Sequence, residues 1–140
     1  MGKQGNTLLK NIFDERLSHL TPNELEALES LVNRLGQRYG DDLQRLVLFG
    51  SKARGDFDEE SDLDVLVVVR MSEGDYWQHW NKIIDLTYDL ELKYNVVFSL
   101  LIKNEPEYAL MRQWNLLINR NIDQDGIGLW TSQPSERLFA

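Results

Sequence analysis

Two short apolar runs with a charged stretch between them limit what this chain can become. LQRLVLF (43–49) and LDVLVVV (63–69) are rich in leucine and β-branched residues, the pattern of strands buried in a core. The intervening RGDFDEES is polar, carries a glycine and reads as a loop. Two buried strands then meet near their ends, with Gly50-Ser51 closing the first and Asp62-x-Asp64 opening the second.

The flanking sequence is helical. Thr21-Pro22-Asn23-Glu24 is a capping box with proline at the first helical position, followed by a stripe of Leu25, Leu28, Val32, Leu35 and Tyr39 that Gly40 ends. Leu9, Ile12, Phe13, Leu17 and Leu20 predict an earlier helix, and Trp77, Trp80, Ile83, Ile84 and Tyr88 a long one from Asp75 to Tyr94. VVFSLLI predicts a third strand, and Pro106 starts a helix through EYALMRQW, before LLINRNI and a turn at Asp125-Gly126. The order is helix, helix, strand, loop, strand, helix, strand, helix. That is an α/β (α+β) arrangement, a small sheet with helices mainly on one face. With no repeat or linker, residues 1–140 read as one domain, 1–20 being an N-terminal helical extension and 131–140 a loose tail.

Composition narrows the chemistry. The chain has no cysteine, and His19 and His79 have no metal-spaced partner, so any metal is held by oxygen. No apolar run approaches the roughly 20 residues of a membrane span, and the N-terminus lacks the pattern of a secretory signal. A cytoplasmic protein is the expectation. A net charge of -8 repels phosphate backbones, so no direct nucleic-acid binding is expected; it attracts a basic protein and equally serves solubility.

Asp62 and Asp64, two apart in a strand, leave the same face about 7 Å from one another. Their repulsion raises the pKa of each unless a cation lies between them, and Mg²⁺ suits one or two carboxylates completed by substrate phosphates. Gly50 lets backbone amides approach a phosphate, which the Ser51 hydroxyl and a helix start can bond, and Arg54 one turn on adds charge. Each piece has a plainer reading: Gly-Ser is a common turn, Asp-x-Asp a solvated strand start, and Arg54 a surface partner for Asp56 or Asp58.

The combination is more specific. GSKARGDFDEESDLD resembles the Gly-Ser, ten residues, Asp-x-Asp signature of the DNA polymerase β-like nucleotidyltransferases, and within them the minimal nucleotidyltransferase (MNT) group. ELKYNVVFSLLIKNEPEYALMRQW and LLINRNIDQDGIGLW resemble that group's third strand, following helix and closing stretch, so the likeness spans roughly residues 25 to 130. It implies the polymerase β-like nucleotidyltransferase fold, ATP as substrate bound through Gly50, Ser51 and Arg54, and Mg²⁺ on Asp62 and Asp64. Ser51, Asp62 and Asp64 are then the catalytic set.

Stand-alone MNT proteins of this size resemble the antitoxins of HEPN/MNT pairs. The resemblance therefore implies transfer of AMP to a tyrosine of a HEPN ribonuclease toxin, within a hetero-oligomer. Fully equipped relatives carry a third carboxylate on the next strand, where this chain reads Asn95-Val96-Val97-Phe98-Ser99 and Val97 stands at the expected place. Strand alternation puts Asn95, Val97 and Ser99 on one face, so a water held by Asn95 or Ser99 could partly substitute. Asp89 and Glu91 are expected to face solvent. Two alternatives stay open: an antitoxin that inhibits its toxin by contact alone, and a small-molecule nucleotidyltransferase.

Overall fold

The computed structural model describes residues 16–56 and 62–131. Most of the expected first helix, most of DFDEES and nearly all of the expected tail lie outside these ranges.

Helix α1, Pro22–Tyr39, starts where the sequence says it should. Thr21 accepts from the Glu24 amide, Glu24 returns the bond to the Thr21 amide, and Gly40 ends the helix at φ +53. Its stripe of Leu28, Leu31, Val32 and Leu35 is fully buried, each worth about 2 kcal/mol by area removed from water. A 3-10 turn, Gly40–Asp42, leads into β1, Leu43–Phe49. The five-residue helix α2, Gly50–Arg54, follows at once, and β2, Leu63–Val69, returns beside β1. Helix α3 is Tyr76–Tyr94 and β3 is Phe98–Lys103. Helix α4, Glu105–Gln113, and helix α5, Leu117–Asp125, precede β4, Ile127–Thr131.

The sheet order is β3-β2-β1-β4, with β1 antiparallel to β2 and β4, and β2 parallel to β3. The antiparallel pairing explains why the glycine-serine turn and the acidic pair matter together: the end of β1 lies beside the start of β2, with Phe49 opposite Asp64.

Side-chain alternation divides the interior in two. Leu63, Val65, Val67 and Val69 point into the larger cluster with α1 and α3, while Leu66 and Val68 join Val47, Tyr108 and Ile122 beneath α4 and α5. A register shift between Leu43 and Arg45 lets Leu43 and Leu46 face the same cluster. The two long helices cover one face of the sheet, as expected, and two nine-residue helices cover part of the other.

Three details depart from the sequence reading. The third strand starts at Phe98, because Asn95 is the left-handed cap of α3 at φ +55, so Asn95 is not on the strand. LLINRNI belongs to a helix, and IGLWT forms a fourth strand that the sequence reading did not include.

Candidate active site

Asp64 is the centre of the candidate site. It lies in the second position of β2, half-buried, against the backbone of Gly50. A Cβ added at Gly50 would collide with Asp64 Oδ2 and meet Cγ at 3.1 Å, and Gly50 has φ +76, so both space and backbone require glycine there. Asp64 is paired with Ser99 across the parallel β2–β3 ladder, and the two side chains hydrogen-bond. Burial raises the Asp64 pKa, the Asp62 charge raises it further, and Ser99 and Arg54 offset part of the rise. Asp62 is also half-buried, immediately before β2.

The sequence-predicted residues therefore gather at one end of the β1–β2 pair. Gly50 and Ser51 open α2, whose start carries no side-chain cap. Arg54, at the other end of this short helix, is exposed and binds Asp56 through Nε at 3.0 and 3.2 Å. Its pKa is raised by that hydrogen bond first, and then by the fields of Asp56, Asp125 and Asp64. Arg54 thus has the local partner of the plainer reading while sensing the Asp64 charge.

Val97 does not stand beside Asp64. Its carbonyl accepts from the Leu63 amide, its side chain is exposed, and Ser99 occupies the place next to Asp64. Of the two helix acids, Glu91 has a structural task, accepting from the Phe98 amide at 2.8 Å and fixing the start of β3, while Asp89 is exposed. His79 bonds the Tyr39 hydroxyl at 3.0 Å. Trp77 is two-thirds exposed.

Sequence reasoning missed the support behind the turn. Lys52, in the middle of α2, is buried and pairs with Glu24 at 2.7 Å. Burial raises the Glu24 pKa, but bonds from Lys52 and Thr21 outweigh it and the net shift is downward. His19 Nε2 donates to the Lys52 carbonyl. One carboxylate thereby serves both the α1 cap and the anchor of the glycine-serine turn. The available signal was Glu24 itself, whose second oxygen a capping box leaves free for another donor.

Among the described residues no group of three or more acidic, histidine or cysteine side chains is placed to hold a metal by itself. A half-buried carboxylate with a raised pKa beside a second carboxylate is nonetheless a fitting donor set for one hard divalent cation completed by phosphate oxygens. Likewise, no described helix is long and apolar enough to cross a membrane.

Residues 28–122 match the family model of the nucleotidyltransferase domain, a span that contains the whole constellation from Gly50 to Ser99. The chain belongs to this nucleotidyltransferase family. A Methanocaldococcus jannaschii protein, named by inference a protein adenylyltransferase, is 36% identical over 104 residues, covering 74% of this chain and 95% of the relative. A second protein of that organism with the same naming is 47% identical over 62 residues, 44% of this chain and 61% of the relative. Among solved structures, a Sulfolobus solfataricus protein assigned by inference as a nucleotidyltransferase aligns over 86% of this chain and 95% of its own at 18% identity and a TM-score of 0.47. A toxin-antitoxin crystal structure with AMP-PNP aligns over 75% and 74% at 20% identity and a TM-score of 0.46. A mutant form of the toxin-antitoxin MntA-HpeT aligns over the same shares at 18% identity, also with a TM-score of 0.46.

Proposed function

We propose that this nucleotidyltransferase is a protein adenylyltransferase that moves AMP from ATP to a hydroxyl of a partner protein. The reading is carried by one observation, the contact of Asp64 with the Gly50 backbone, which sets an acidic pair against a turn free of side-chain obstruction. The name of the relative that this chain covers almost completely supports a protein acceptor.

Asp62 and Asp64 would hold Mg²⁺. When bound, the cation neutralises triphosphate charge and polarises the phosphoryl oxygens. Gly50 and Ser51 receive and orient the phosphates, Ser51 through its hydroxyl. Ser99 holds Asp64 in place through their hydrogen bond. The acceptor hydroxyl oxygen forms a bond to the α-phosphorus as the bond to pyrophosphate breaks, and the hydroxyl proton passes to solvent. Most of the work lies in positioning and charge neutralisation, which two carboxylates and a phosphate-binding turn are suited to do.

The finer reading follows the MNT resemblance. The acceptor is a tyrosine of a HEPN ribonuclease toxin, and the transfer neutralises it. The lack of an acid at Val97, and at Ser99, the cross-strand partner of Asp64, favours a second reading, inhibition by contact alone. Incubation with α-labelled ATP, Mg²⁺ and the HEPN protein separates the two. Adenylyl transfer predicts label on the partner that disappears with Asp62→Ala and Asp64→Ala. Inhibition without label, unchanged in both variants, supports contact alone.

A further inference from the structure

Asp64 has a different neighbour on each side. On the β1 side its carboxylate touches the Gly50 backbone, where the glycine-serine turn opens, and Phe49 stands opposite it in the antiparallel ladder. On the β3 side it is paired with Ser99, and the two side chains hydrogen-bond. Residues paired across a ladder project from the same face, and neighbouring strands are about 4.8 Å apart, so turn, carboxylate and serine hydroxyl follow one another across the end of the sheet. Ser99 comes last, because β3 is an edge strand.

That order has a chemical consequence. In a phosphoryl displacement the attacking and leaving oxygens lie roughly in line, on opposite sides of phosphorus. With the outer phosphates of ATP on the turn and the α-phosphorus over the acidic pair, pyrophosphate departs toward β1 and the attacking hydroxyl enters from β3. Ser51 is on the side of departure. Ser99 is on the side of entry.

Its surroundings suit Ser99 to attack. The side chain is exposed where Asp64 is half-buried, so the hydroxyl lies open to a bound nucleotide. It already bonds a carboxylate, the arrangement that orients and activates a hydroxyl nucleophile. Val97, two residues earlier on the same face, is exposed and apolar, and brings no group that competes for the phosphorus.

We propose that Ser99 is itself an acceptor, and that the chain adenylylates its own Ser99 when no partner hydroxyl fills the entry side. Ser99 Oγ forms a bond to the α-phosphorus of ATP, the bond from that phosphorus to the bridging oxygen of pyrophosphate breaks, and the hydroxyl proton passes to solvent. The product is a phosphodiester of serine and AMP that lies beside Asp64. Each chain therefore reacts once, and its own AMP then fills the site. This rests on the reading of the chain as an adenylyltransferase and adds a second destination for the AMP.

The test is to incubate the purified full chain alone with Mg²⁺ and α-labelled ATP and to map the labelled peptide by mass spectrometry. Wild type is expected to gain AMP on Ser99, up to one per chain, at a rate per chain that dilution does not change, and the labelled chain is expected to lose AMP-PNP binding. ATP labelled at the γ-phosphate leaves no label. Ser99→Ala loses the label, and Ser99→Thr, which returns a hydroxyl to the same place, recovers it. The position mapped in wild type does not depend on how well the alanine variant holds Asp64. AMP on another residue, a rate that falls with dilution, or a wild type that binds AMP-PNP with Mg²⁺ yet stays unlabelled by ATP would overturn the proposal and leave the adenylyltransferase reading standing. If wild type does not bind AMP-PNP, that reading itself fails and this inference falls with it.

Discussion

At the residue scale the decisive contact is Asp64 on Gly50. Gly50→Ala places a methyl group against the Asp64 carboxylate at a positive φ, which costs about 1–2 kcal/mol from the backbone alone. A thermal melt should show the fall in stability, and the displaced carboxylate should abolish transfer. Asp64→Asn should separate stability from activity. The folded-state pKa of Asp64 lies above its unfolded value, so the ionised group costs stability above the folded pKa, and the cost disappears as pH falls to the unfolded value near 3.8. The variant should therefore be as stable as wild type or more so at neutral pH, lose that advantage in acid, and be inactive. Denaturant melts between pH 3 and 8 check the sign, and a variant less stable than wild type at pH 7 contradicts it. Ser99→Asp would place a third carboxylate beside Asp64, lowering stability without metal and tightening Mg²⁺ binding; a melt with and without Mg²⁺ reads both.

At the element scale, the Lys52–Glu24 pair fixes the short helix α2 to α1. Breaking a buried pair leaves a charge uncompensated, so Lys52→Met should cost about 3 kcal/mol and slow transfer through misplacement of Ser51. Glu24 has a lowered pKa, so its contribution is present above the unfolded value and lost as pH falls through the folded one, below 4.5. Glu24→Gln should flatten the acid limb of the stability profile in that range. The elements differ in how legible they were. The capping box and stripe of α1 are local signals, and the structure places α1 where they put it. IGLWT is only five residues long, carries a glycine, and becomes a strand through pairing with β1, a contact between residues some eighty positions apart that no local pattern records. Asn95 looked like strand because it precedes an apolar run, yet its left-handed conformation caps a helix.

At the scale of the whole molecule, antiparallel pairing of β1 with β2 turns a motif spread over fifteen residues into one end of a sheet. Gly50, Ser51, Asp62 and Asp64 were readable as candidates because their chemistry is local and their strands are strongly apolar, and the structure places them at the same end of the β1–β2 pair. Ser99 was read only as a possible holder of a water, and Lys52 and Glu24 were not read as support for the turn, because their places depend on register across a parallel ladder and on packing between helices. The account as a whole claims that these carboxylates and this turn form one metal-dependent nucleotide site. Calorimetric titration of AMP-PNP with and without Mg²⁺, for wild type and Asp64→Ala, tests this directly. The account predicts one nucleotide per chain for wild type, at least tenfold tighter with Mg²⁺, and no metal dependence in the variant; equal affinity without Mg²⁺, or an unchanged metal effect in Asp64→Ala, would contradict it.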